Sequence, residues 1–94
     1  MNLKNLHPAN KAVQTSVLFE PNEKVIALQI AKGEQLEEHI TKVPALLVCV
    51  LGNAVFDNEK GEETNLHSGD YVFIEANIKH WVNAVEDSNF LLIK

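Results

Sequence analysis

Arginine is absent from this chain of 94 residues: all eight basic side chains are lysine, set against thirteen acidic ones for a formal net charge of −5. Lysine lacks the planar guanidinium fork that reads guanine edges and grips carboxylates or phosphates in a bidentate way. Together with the acidic balance, this excludes nucleic acid as an expected partner and disfavours phosphorylated substrates. Cysteine is almost absent. The one thiol, Cys49, sits in the apolar run Ala45-Leu46-Leu47-Val48-Cys49-Val50-Leu51 and reads as a small buried hydrophobe, and no disulfide can form within one chain. No stretch reaches the roughly 18 to 20 apolar residues of a membrane-spanning helix. The N-terminal segment Met1 to His7 has no apolar core of a secretory signal. The expectation is a soluble, cytoplasmic protein that does not enter a membrane.

Helical periodicity is also lacking. From Ser16 onward the chain is built of short segments that alternate in polarity or are rich in β-branched residues, cut at close intervals by turn residues. Strands are predicted at 16–20, 24–31, 35–41, 46–51, 54–57, 64–67, 71–75, 80–85 and 90–93. The breakers Lys32-Gly33, Gly52-Asn53, Asn58 to Gly61 and Ser68-Gly69-Asp70 supply positive φ or side chains that bond their own backbone. The fold class is all-β, in one domain over residues 16–94, preceded by a less patterned arm over 1–15 that either pairs with a second subunit or is loosely held. Several strands are apolar on both faces, and the chain is small for a single core, so a homodimer is expected.

Strand parity groups Glu37, His39 and Thr41 on one face, with Leu36, Glu38 and Ile40 on the other. It groups His80 with Val82 and Ala84, away from Trp81. Tyr71 and Phe73 share one phase, Val72 and Ile74 the other. His7, in the arm, and His67, before a turn, fall outside these groups.

The spacing Gly33-x5-His39, with Gly52 further on, and Gly69 followed by His80, resembles the two motifs of the cupin family over about residues 24–94. The resemblance implies a double-stranded β-helix, the jelly-roll barrel. It also implies a metal held by three histidines and a glutamate, suited to divalent iron, manganese, nickel or zinc. Here Thr41 stands at the second histidine's position and Ala45 at the glutamate's, while Glu75, Asn77 and Ala84 replace the proline, glycine and asparagine of the second motif. Only His39 and His80 remain as ligands, with Glu37 as a substitute carboxylate and a weak divalent site as the result. The resemblance thus implies a barrel pocket lined by His39, Thr41, Leu47, Cys49, Phe73, His80 and Val82 that takes a small organic molecule. The alternative it leaves open is a metal-dependent oxygenase or isomerase acting on a small organic substrate.

Overall fold

A computed structural model describes residues 1–7 and 11–94. Among the described residues, eight strands follow a 3-10 turn at Leu3–Asn5: β1 Val25–Ile30, β2 Gln35–His39, β3 Ala45–Leu51, β4 Asn53–Asn58, β5 Glu63–His67, β6 Tyr71–Ile74, β7 His80–Ala84 and β8 Ser88–Ile93. They form two four-stranded antiparallel sheets, ordered β1-β8-β3-β6 and β2-β7-β4-β5. Apart from the β4–β5 hairpin, each strand hands over to the opposite sheet, which makes the double-stranded β-helix. The ninth predicted strand, 16–20, is not one; that segment runs without ladder pairing.

The inner faces interdigitate as a single apolar core in which Leu47, Cys49, Phe56, Leu66, Val82 and Phe90 are each at most 2 % exposed. On the inner face of the second sheet, register produces graded rows. Ala84, Ala54 and Leu66 align at one end, Leu36, Val82, Phe56 and Thr64 in the middle, and His39, His80 and Asn58 at the other end. The interior therefore passes from wholly apolar to polar along the barrel axis. The polar end opens among the β2–β3, β4–β5 and β6–β7 loops.

The outer face of the first sheet is apolar as well. Val25, Ile93, Leu46 and Phe73 form one row across it, and Ala27, Leu91, Val48 and Tyr71 the next. Half of this face is covered by the chain itself, since Leu6, Leu18 and Phe19 pack on Leu46, Val48, Tyr71 and Ile93. Of the predicted arm, residues 8–10 lie outside the described part. Its first residues add to the β6 edge: Leu3 N–H donates to the Gly69 carbonyl at 2.8 Å, Tyr71 N–H donates to the Met1 carbonyl at 3.0 Å, and Asn2 bridges Asp70.

Asp70 anchors this junction. Its Oδ2 accepts the His67 N–H at 2.7 Å and its Oδ1 the Asn2 amide at 2.9 Å. Burial by itself raises its pKa; the His67 and Asn2 hydrogen bonds, the N-terminal ammonium and His67 outweigh it, and the carboxyl is held below its ordinary 3.8. Asp70→Ala removes a charged acceptor from two donors and is expected to cost about 1–3 kcal/mol in urea denaturation at neutral pH. A loss within experimental error would show that water replaces both bonds freely.

Candidate functional site

The two histidines expected to form the site do meet. His39 closes β2 and His80 opens β7 as cross-strand partners, with ring centroids 4.2 Å apart and planes inclined by 59°. His80 is buried, at 1 % exposure, and stacks on Phe56 at 5.9 Å with planes 26° apart. His39 is half-buried at the barrel mouth.

What brings them together is a β-bulge. Between Leu36 and His39 the second strand advances three residues while β7 advances two, from Val82 to His80. The extra residue reverses parity, so Leu36 and His39 both face inward. This corrects the assignment of Glu37 to the face of His39: Glu37 is exposed at the bulge, and its carbonyl, not its carboxylate, approaches His39 Nδ1 at 3.1 Å. Glu38 is turned to solvent and pairs with Lys79 at 3.5 Å.

Both imidazoles are held in the same way. His39 Nδ1 lies 3.1 Å from the Glu37 carbonyl and His80 Nδ1 3.3 Å from the Ile78 carbonyl, each two residues earlier in its own strand or loop. A carbonyl only accepts, so each contact is a hydrogen bond when Nδ1 carries the proton. That tautomer leaves Nε2 of each ring as a lone-pair acceptor. For His80, burial pushes the pKa below its ordinary 6.5; the Ile78 carbonyl opposes this and the neighbouring His39 adds to it. His80 is therefore held toward its neutral form, as an acceptor through Nε2.

Thr41 is buried beside the mouth, but its hydroxyl donates to the Val43 carbonyl at 2.8 Å and its own carbonyl accepts the Asn77 N–H at 2.8 Å. Asn77 stands at the glycine position of the second motif and takes φ +63°, which asparagine tolerates better than most residues. The mouth loops are tied further by Lys60 to Glu75 at 2.7 Å and by Lys79 N–H donating to Glu59 Oε2 at 2.5 Å. Glu75 is thus engaged at the surface and does not turn inward.

Leu47, Cys49 and Val82 lie beneath the histidines in the packed core, where burial raises the Cys49 thiol pKa first and Asp70 adds to it. Phe73 is misplaced in the predicted pocket lining. It pairs with Leu46 on the outer face, is 47 % exposed, and meets Tyr71 edge-on at 5.8 Å. Phe56 and Leu36, which the sequence reading left out, take the inner positions. Cross-strand register with Val82 places both of them there, and register was not available from one sequence. A groove of about 420 Å³ opens elsewhere, on the outside of the first sheet between Ala27, Val50 and Leu91, remote from the histidine pair.

The family metal does not fit these residues. Two imidazoles come together, but the Thr41 hydroxyl is committed to Val43, the Glu37 carboxylate is outside the bulge, and the glutamate position is the buried Ala45. Among the described residues no three histidine, cysteine, aspartate or glutamate side chains cluster as metal ligands. Sites for divalent transition metals usually offer at least three protein ligands.

Comparison with known proteins agrees with the fold. The family model described as the cupin domain matches residues 27–93. A conserved protein of unknown function from Streptococcus pyogenes superposes with a TM-score of 0.69 at 23 % identity, covering 73 % of this chain and 60 % of that one. An RmlC-like protein from Methanocaldococcus jannaschii, with a double-stranded β-helix fold, gives 0.68 at 21 % identity, covering 74 % and 66 %. Bacillus subtilis oxalate decarboxylase, a protein with Mn(II) centres, gives 0.67 at 23 % identity, covering 73 % of this chain and 20 % of that one. This chain thus spans less than two thirds of the length of these solved relatives. No curated protein matches. No helix among the described residues is long and apolar enough to cross a membrane.

Proposed function

The chain belongs to the cupin family, and from that premise we propose that it binds a small organic molecule at the barrel mouth, with His39 and His80 as the polar anchors. The observation that carries this reading is the juxtaposition of the two rings at 4.2 Å, each held by a backbone carbonyl through Nδ1. Two lone-pair nitrogens side by side above Phe56 and Leu36 favour a ligand that brings hydrogen-bond donors and an apolar edge, such as a hydroxylated compound. The oxygenase or isomerase alternative draws no support from the donor set. In this reading the protein acts in the cytoplasm as a homodimer.

The test is calorimetric titration with a panel of small hydroxy acids, sugars and polyols. A compound that binds the parent protein is expected to lose at least tenfold in affinity to His39→Ala and to His80→Leu, the second of which keeps volume against Phe56. Tenfold corresponds to about 1.4 kcal/mol, the size of one good hydrogen bond. Equal binding by both variants would refute the assignment.

A further inference from the structure

We propose that the barrel mouth selects uncharged polyhydroxyl compounds, such as sugars and polyols, and rejects their carboxylate counterparts, a selectivity that rests on the His39–His80 reading above and adds the ligand's charge to it. Two observations carry it. The first is the donor set. His39 and His80 each direct Nδ1 at a backbone carbonyl, so Nε2 is what each ring presents to a ligand. A lone pair there accepts a hydroxyl proton and has nothing to give a carboxylate, which only accepts. The other polar groups of the mouth do not supply the missing donor: the Thr41 hydroxyl goes to the Val43 carbonyl and the Asn58 amide to Glu62.

The second observation is how the charges at this end are paired. The chain has no guanidinium to grip a carboxylate. Of the three lysines in the β2–β3, β4–β5 and β6–β7 loops, Lys60 is held by Glu75 at 2.7 Å and Lys79 stands 3.5 Å from Glu38. Lys42, the third, is exposed. Three further carboxylates remain. Glu37 is exposed at the bulge, Glu59 accepts the Lys79 N–H, and Glu62 accepts the Asn58 amide, neutral donors that leave the negative charge in place. The rim at the histidine end thus carries more negative charge than positive. An acid entering it meets like charge and gives up hydration for two acceptors. A hydroxylated compound makes its hydrogen bonds without either penalty, so the rim rejects as the histidines attract.

Calorimetric titration of the full chain tests this at about pH 8, above the ordinary histidine range, and at about 20 mM salt, where screening is weak. The probes are matched pairs: glucose and glucuronate, galactose and galacturonate, glycerol and glycerate. In at least one pair the neutral member is expected to bind about tenfold or more tightly than the acid. Glu75→Gln releases Lys60 and Glu38→Gln releases Lys79. Each is expected to strengthen binding of the acid about threefold while leaving the neutral compound's affinity and the melting temperature unchanged, since exposed ion pairs contribute little to stability. Raising the salt to about 150 mM is expected to narrow the gap. An acid that binds as tightly as its neutral partner overturns the selectivity while leaving the histidine site standing, and loss of that binding in Lys42→Ala would identify the cation responsible. A gap that neither glutamate variant nor salt narrows overturns the role given to the rim. No binding by any of these compounds overturns the mouth reading and the selectivity together.

Discussion

Gly52→Ala is expected to remove about 3–5 kcal/mol of folding stability, enough to leave a domain of this size partly unfolded at room temperature. Gly52 joins β3 to β4 where the chain passes from one sheet to the other, at φ +116°. A Cβ there would meet the Ser88 Oγ, and would stand 2.6 Å from the Asp87 carbonyl oxygen and 2.7 Å from the Ser88 Cα. The last two are backbone atoms and cannot swing aside. Ser88 is itself fully buried, its hydroxyl donating toward the Asn53 and Glu86 carbonyls and accepting the Asn53 N–H. Displacing it also breaks the β7–β8 turn. Gly61→Ala is the control, since Gly61 has φ +84° but open space around its missing Cβ; only the backbone strain of about 1 kcal/mol is expected there. Urea denaturation of both variants checks the contrast. Equal losses would mean that strain rather than close approach fixes Gly52.

The second large effect belongs to His80. His80→Ala opens a cavity under His39 and removes the face that stacks on Phe56; by analogy with other buried rings, about 2–4 kcal/mol of stability is lost. The same residue sets a pH dependence. Its folded-state pKa lies below the ordinary 6.5, chiefly because burial disfavours the cation. Between these two values the unfolded chain binds more protons than the folded one. The contribution of neutral His80 is therefore fully present above pH 6.5 and is lost as pH falls from there through the lowered folded value. Asp70, whose pKa is held below 3.8, does not titrate in this window. Melting temperatures recorded from pH 7.5 to 5.5 are expected to fall in the parent and to fall less in His80→Leu. Parallel curves would place the pH sensitivity elsewhere.

Most of the barrel was legible because its strands are short, alternating and punctuated by turn residues, and the motif spacing of Gly33, His39, Gly69 and His80 carried its topology. What parity could not supply was the bulges. The one between Leu36 and His39 turns Glu37 out, and a second between Cys49 and Leu51 leaves Leu51 60 % exposed although it shares sequence phase with Leu47 and Cys49. A bulge adds one residue to one strand, and the residues around it need not differ from those of a regular strand. Phe73 failed for another reason. Both phases of β6 are apolar, so only the pairing of Val72 with Leu47 and of Phe73 with Leu46 shows which phase faces the core. The segment 16–20 looked like a strand because Val17, Leu18 and Phe19 are good β formers; Leu18 and Phe19 instead lie against the outer face, where apolar contact substitutes for a ladder. The candidate site was legible as two histidines. The carbonyls of Glu37 and Ile78 that face their Nδ1 atoms were not.

The central claim is that His39 and His80 form a side-by-side pair that receives a ligand through Nε2. A side-chain ¹H–¹⁵N correlation spectrum of the four histidines at pH 7.5, recorded with and without a bound hydroxylated compound, tests it most directly. The account predicts that His39 and His80 both carry the proton on Nδ1 and that their two Nε2 resonances move on binding, while those of His7 and His67 stay in place. An Nε2-protonated tautomer at either ring, or a bound compound that leaves both Nε2 resonances unmoved, would contradict it.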